Sequence, residues 1–202
     1  MKPETLYASI KPYISVLENI DLEKIRTIAD CLATVNSDGG KIILAGNGGS
    51  HAIAQHLSCD LMKGVGMNFL CCPVVNLTDN TAMLTALSND ISYEEALAAQ
   101  FEGIAVGDED VLITFSVSGT SKNIVNLLSI AERWNMSCIE VYGQASDKSC
   151  RTFPPNEEWR HIGISTGYMT GYPLHYYTCE TAFSAIAHEI ARLFHTRMGN
   201  YA

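Results

Sequence analysis

The run Gly46-Asn47-Gly48-Gly49-Ser50 closes an apolar segment and opens one that carries His56 and Asp60. Glycines let a turn bring its backbone close to a ligand, while serine hydroxyls and the free amides of a following helix donate hydrogen bonds. A turn of this make-up suits an anion, above all a phosphate or sugar phosphate. A second run, Ser116-Val117-Ser118-Gly119-Thr120-Ser121, has the same character and also follows an apolar segment. His56 and Asp60 stand four residues apart, so a helix places them on one face. An imidazole beside a carboxylate can move a proton or ligate a divalent ion such as zinc. Neither turn is a nucleotide motif: no lysine follows Gly49 as a P-loop requires, and neither run spells GxGxxG. Taken singly, each turn also reads as an ordinary strand-helix connection, and His56 as a solvated helix histidine.

The elements around these residues predict where they sit. Short apolar runs at 41–45, 71–77, 110–116, 136–143 and 160–165 read as strands buried on both faces. Between them lie helical candidates at 50–63, 81–103 with a break near Asn89, and 121–135, and a last long helix spans about 176–197. Strand and helix in alternation predict an α/β fold, an open parallel sheet of five strands flanked by helices. In such a sheet ligands bind beyond the carboxyl ends of the strands, which is where both turns fall. Ahead of the sheet, Leu6, Ile10, Ile14 and Leu17 form one helical stripe, and Ile25, Ile28 and Leu32 form another behind Asp21, a candidate N-cap. "NSDGG" then breaks the pattern. These N-terminal helices must bury their stripes on the sheet domain or on another subunit, which makes a homo-oligomer the expected state. The expected organisation is one domain over 1–202, a helical segment at 1–38 followed by an α/β core at 39–202.

Composition narrows the function classes. The chain has 202 residues, 47% of them hydrophobic, enough for one well-buried domain. A net charge of −9 argues against a nucleic-acid partner but leaves small anions open. Seven cysteines without regular spacing read as reduced thiols of a cytoplasmic protein. The N-terminus lacks the apolar core of a signal peptide, and no run has membrane-spanning length.

The motifs "GNGGS…AQH", "LTDN…LTALSND" and "GDEDVLITFSVSG-S-NI", in that order and spacing, resemble the sugar isomerase (SIS) superfamily and within it the sedoheptulose-7-phosphate, or phosphoheptose, isomerases. The resemblance runs from the N-terminal helices to about Tyr142, roughly two-thirds of the chain. It implies a homotetramer with active sites between subunits, zinc as the cofactor that the better-studied members bind, and interconversion of sedoheptulose 7-phosphate with D-glycero-D-manno-heptose 7-phosphate. Position by position, it implies that Asn47, Gly48, Gly49, Ser50, Ser116, Ser118 and Ser121 form the phosphosugar site, with Asn89 and Asp90 near it. It further implies His56 as a metal ligand and Asp60 at the place of the catalytic glutamate. By spacing on the last helix, Glu180 and His188 match a glutamine and a histidine of the family. The implied metal set is then His56, Asp60, Glu180 and His188, and the implied catalytic set Asp60, His188 and Glu180. Tyr168, Tyr177, His161 and His175 border the last helix and are further candidates to line the site.

The chain departs from that pattern at several places. Asp60 is one methylene shorter than the family glutamate, Glu180 adds a charge where the family has glutamine, Val117 replaces a threonine, and Gly64 beside Lys63 replaces an arginine. These changes leave two candidates for the base: Asp60, or Glu180 supplying the reach that Asp60 lost. They also leave three rival functions, an isomerase of another phosphosugar, a sugar-phosphate sensor, and a non-catalytic relative that binds a replication initiator. Relatives of the last type lack the histidine that His188 supplies.

Overall fold

The computed structural model describes residues 3–63, 73–104, 107–143, 161–166 and 175–199. Two helices, α1 (Pro3–Glu18) and α2 (Leu22–Asp38), lead into β1 (Ile42–Gly46) and α3 (Gly49–Lys63). Then follow β2 (Val74–Asn76), α4 (Thr81–Asp90), α5 (Tyr93–Glu102), β3 (Val111–Ser116) and α6 (Lys122–Arg133). The chain continues through β4 (Ser137–Tyr142) and β5 (His161–Ser165) to α7 (His175–Arg197). All five strands fall on the expected apolar runs.

The strands form one parallel sheet in the order β2-β1-β3-β4-β5. Alternate residues of each strand face opposite sides, and both sides are covered. Ile42, Leu44, Ile113, Phe115, Ile139 and Val141 pack against α2, α3 and α7. Ile43, Ala45, Leu112 and Cys138 pack against α5 and α6. Covering both faces explains why the strands read as continuous apolar runs rather than alternating ones. Every residue of β1 and β3 is buried. The strand order reverses direction between β1 and β3, so the crevice at their carboxyl ends is the ligand-binding position of an open sheet.

Local sequence explains the helix ends. Asp21 caps α2 by accepting from the Lys24 amide at 3.1 Å. That helix continues through Asn36–Asp38, beyond the expected break, and stops only at Gly39, whose φ of 77° closes it. The expected break near Asn89 falls at Ile91 and Ser92, where the Ser92 hydroxyl accepts from the Glu95 amide and starts a new helix. In the second stripe Ile25, Ile28 and Leu32 are buried as expected. The first stripe is not: Ile10, Ile14 and Leu17 are 44%, 41% and 38% exposed, and α1 buries Val16 instead. Helix α4 buries none of its residues. Among the described residues, no helix is long and apolar enough to cross a membrane.

Candidate functional site

The glycine turn leaves β1 and the serine turn leaves β3, neighbouring strands paired in register from Ile42↔Val111 to Gly46↔Phe115. Each turn relies on one glycine in the left-handed region, Gly48 at φ 54° and Gly119 at φ 64°, where a Cβ is disfavoured. Within the serine turn, Ser116 Oγ accepts from the Gly119 amide and Ser118 Oγ from the Thr120 amide, both at 3.2 Å. The hydroxyls of Ser118 and Ser121 lie 3.4 Å apart. Ser121 opens α6 without a side-chain cap, whereas α2, α4 and α5 are capped by Asp21, Asn80 and Ser92. The Ser121 hydroxyl is therefore not spent on its own helix. Lys122 adds a positive charge beside this turn, and its hydrogen bond to Glu94 at 2.7 Å raises its pKa above the usual lysine value.

The two turns are joined directly. Asn47 Nδ2 donates to Asn123 Oδ1 at 2.9 Å, and Asn123 Nδ2 donates back to Asn47 Oδ1 at 2.8 Å. Tyr93 Oη also donates to Asn47 Oδ1, at 2.8 Å. Asn47 was expected to contact the phosphosugar, and its side-chain carbonyl oxygen accepts two hydrogen bonds within the protein. Sequence reasoning missed Asn123 and Tyr93, because their partner lies in a segment remote in sequence.

Helix α3 carries the remaining chemistry. Its buried residues Ile53, Ala54, Leu57, Ser58 and Leu61 recur at helical spacing, which turns His56 and Asp60 away from the sheet and toward α7. His56 Nε2 lies 3.4 Å from Asp60 Oδ2. From α7, His188 Nε2 lies 3.2 Å from His56 Nε2 and 3.8 Å from Asp60 Oδ2. The two imidazoles are about 60% exposed and Asp60 is 31% exposed, so the cluster faces open space. Beside it a cleft of about 200 Å³ runs between α3 and α7, lined by Ala52, Ile53, Ser184 and Ala187.

His56, Asp60 and His188 could hold a metal ion, since one ligand atom from each lies within 4.8 Å of the others. The donor spacing can be checked against zinc. Ligands bound tetrahedrally at about 2.0–2.1 Å stand roughly 3.3–3.4 Å apart, and the observed separations of 3.2, 3.4 and 3.8 Å bracket that value. Three protein ligands with an exposed side leave a position for substrate or water, the pattern of catalytic rather than structural sites.

Glu180 was expected in the same set, and the structure puts it elsewhere. Its carboxylate packs directly on Gly49, where a Cβ would collide with it. Helices α3 and α7 run alongside each other in the same direction, with Glu180 level with Gly49, His188 with His56, and His195 with Asp60. Seven residues of α3, about 10 Å of rise, separate Glu180's level from the histidines. His195 is 2% exposed, and its Nε2 meets the Asp60 carbonyl oxygen at 2.9 Å. That carbonyl is one of the last four of α3, which have no partner within the helix.

Other expected residues are placed as follows. Ser50 and Ser116 are buried at the turns. Asn89 and Asp90 end α4, exposed and hydrogen-bonded to each other at 3.0 Å, and no hydrogen bond joins them to either turn among the described residues. Tyr177 is 62% exposed at the start of α7. Gly64 and Tyr168, and the side chains of His161 and His175, lie outside the described residues. A further polar group missed in the sequence lies beside the glycine turn, where His51 Nδ1 meets Thr78 Oγ1 at 2.6 Å and Thr78 donates to Asn76 Oδ1.

Residues 6–143 match the SIS domain family. A phosphoheptose isomerase of Burkholderia pseudomallei (strain K96243) is 40% identical over 124 residues, 60% of this chain and 61% of that protein. The phosphoheptose isomerase of Geotalea daltonii is 35% identical over 144 residues, 70% of this chain and 74% of that protein. Among solved structures, that of a phosphoheptose isomerase from Neisseria gonorrhoeae superposes with a TM-score of 0.81 at 23% identity, covering 96% of this chain and 98% of the other. The last likeness establishes the shared fold.

Proposed function

The chain belongs to the SIS domain family and, within it, to the phosphoheptose isomerases, and from that premise we propose that it interconverts sedoheptulose 7-phosphate and D-glycero-D-manno-heptose 7-phosphate through an enediol. The observation that carries the reading is the ladder between α3 and α7: an anion-binding turn at one end, and a His56-Asp60-His188 cluster about 10 Å further along the same helix. An extended sugar phosphate has this polarity, with a dianion at one end and a reacting carbonyl at the other.

At the phosphate end, the amides and hydroxyls around Gly48, Gly49, Ser50, Ser116, Ser118 and Ser121 hold the anion, helped by the uncapped N-terminus of α6. At the other end, Asp60 Oδ2 faces the two imidazoles, which leaves Oδ1 for the substrate. Asp60 takes the proton from C1 of the ketose while His188 protonates the oxygen on C2, giving the enediol. Asp60, its proton exchanging with water at this open site, then protonates C2 while the hydroxyl proton at C1 leaves, giving the aldose. No electrons leave the sugar, so the step balances without a redox partner. His56, Asp60 and His188 would hold zinc, whose Lewis acidity at the C2 oxygen would take the place of the proton from His188. Glu180, against Gly49, is not level with this chemistry, which favours Asp60 over Glu180 as the base.

The exposed stripe Ile10, Ile14 and Leu17, together with a helix α4 that buries nothing, supports assembly into a homo-oligomer, a tetramer by the family resemblance. Asn89 and Asp90 would then reach a site across a subunit boundary. We assign the protein to the cytoplasm and to heptose supply for lipopolysaccharide or capsule. The test is conversion of sedoheptulose 7-phosphate by the purified protein, followed by NMR with zinc and with chelator. Conversion that chelator suppresses and zinc restores supports the assignment. Binding without conversion would favour a sensor or scaffold.

A further inference from the structure

We propose that Asn123, together with Tyr93, is a positioning residue that locks the glycine turn to the serine turn so that both grip a single phosphate. This rests on the phosphosugar reading above. Asn47, Asn123 and Tyr93 come from the first turn, from the second residue of α6 and from the first residue of α5. Their side chains meet in one group of three hydrogen bonds of 2.8–2.9 Å.

The chemistry of the pair is restrictive. A carboxamide carries a donor and an acceptor on one rigid plane, so two of them can exchange hydrogen bonds in both directions. Aspartate at either place loses the return bond and adds a charge, and an aliphatic residue loses both bonds. Asn123 is only 3% exposed, so water cannot replace a lost partner. Its Oδ1 also accepts from the Ile124 amide at 3.0 Å, which fixes the carboxamide to the first turn of α6. Asn47 is held from two sides. Its Oδ1 takes Asn123 and Tyr93, and one Nδ2 proton goes to Asn123, leaving a single N–H for a ligand.

The consequence is geometric. The glycine turn contributes amides at the start of α3, and the serine turn contributes hydroxyls and amides at the start of α6. A phosphate bridging both needs their separation fixed before it arrives, since ordering them on binding would cost affinity. Asn123 supplies that fixed separation without touching the sugar, and Tyr93 braces it from α5.

The test measures binding and turnover separately. Affinity for sedoheptulose 7-phosphate is read by calorimetry, KM and kcat by NMR, and zinc affinity by competition with a chromophoric chelator, for Asn123→Leu, Tyr93→Phe, Asn47→Leu and the Asn47→Leu/Asn123→Leu double variant. The inference expects Asn123→Leu to lose about tenfold or more in sugar-phosphate affinity and in KM, with zinc affinity unchanged. Tyr93→Phe, which keeps the half-exposed ring and removes only its hydroxyl, should bind about two- to fivefold more weakly. The double variant should bind no more weakly than the weaker single variant, since both remove the same pair. Wild-type affinity and KM in Tyr93→Phe and Asn123→Leu, or additive losses in the double variant, would overturn the inference while leaving the isomerase assignment intact. Loss of binding in the variants of a wild type that binds but does not convert would sustain the inference and sink the isomerase reading. A wild type that does not bind the sugar phosphate would overturn both.

Discussion

Two glycines of the first turn, three residues apart, should respond oppositely to the same small change. An alanine Cβ at Gly46 would stand 2.6 Å from the Ser50 carbonyl oxygen, 2.7 Å from its carbon and 2.8 Å from the His51 nitrogen. All three are backbone atoms in the first turn of α3, so the strand end or the helix must move. Overpacking of this kind costs about 1–3 kcal/mol, and the entropy lost from the unfolded chain on replacing glycine returns about 0.4–1 kcal/mol. The difference spans roughly 0–2.6 kcal/mol, and its middle, about 1–2 kcal/mol, is the expected loss. At this chain length that corresponds to a fall in Tm of roughly 2–8 °C. The atoms nearest an alanine Cβ at Gly49 are those of the Glu180 carboxylate, the free end of a flexible side chain. That group can swing aside, and alanine is the better helix former by up to about 1 kcal/mol, so Gly49→Ala should melt at or above the wild-type temperature. Thermal unfolding followed by circular dichroism decides the matter. A Gly49→Ala protein that melts below Gly46→Ala, or a Gly46→Ala protein that melts with wild type, would refute the close approach of β1 to α3 and the placement of Glu180.

The remaining predictions concern the chemistry and its supports. Asp60→Asn should lower kcat by about 10²–10⁴, the range for loss of a general base. Glu180→Gln should keep turnover and lower KM by about two- to fivefold, because a carboxylate at a helix N-terminus, worth about 0.3–1 kcal/mol there, no longer opposes the incoming phosphate. Equal loss of kcat in both variants would return Glu180 to the catalytic set. His195→Ala should weaken zinc binding by about tenfold by freeing the Asp60 carbonyl, and His195→Asn should recover part of it, as chelator competition would show. Among the described cysteines, alkylation of the folded protein should reach exposed Cys59 first. Burial pushes the Cys31 thiol up to about 11 and raises that of Cys179, so both should label only on unfolding, which peptide mass spectrometry would reveal.

What could be read in the sequence followed from burial and from local spacing. The five strands were legible because covering both faces of the sheet leaves uninterrupted apolar runs such as Ile42–Gly46. The two turns were legible because their glycines and serines sit where strand gives way to helix, and the β1–β3 switch then brings them together. His56 and Asp60 were legible as an i, i+4 pair, and His188 joined them through the family's spacing. Tertiary partners were not legible. The Asn47–Asn123 exchange links residues 76 positions apart, and the motif that contains Asn123 does not reveal that Asn47 is its partner. Glu180 was assigned by spacing to the ligand set, and spacing on α7 does not reveal that its carboxylate packs on Gly49, about 10 Å of rise from the level of His56. The stripe on α1 was visible but its covering was not: periodicity finds an apolar face without saying what packs on it.

The central claim is that Asp60 and His188 pass a proton between neighbouring carbons of a heptose phosphate held by the two turns. Conversion of sedoheptulose 7-phosphate in deuterium oxide tests it most directly. The account predicts that the wild-type protein places solvent deuterium at C2 of the aldose and at C1 of the recovered ketose, and that Asp60→Asn forms neither within the same time. Undiminished conversion or labelling by Asp60→Asn would contradict it.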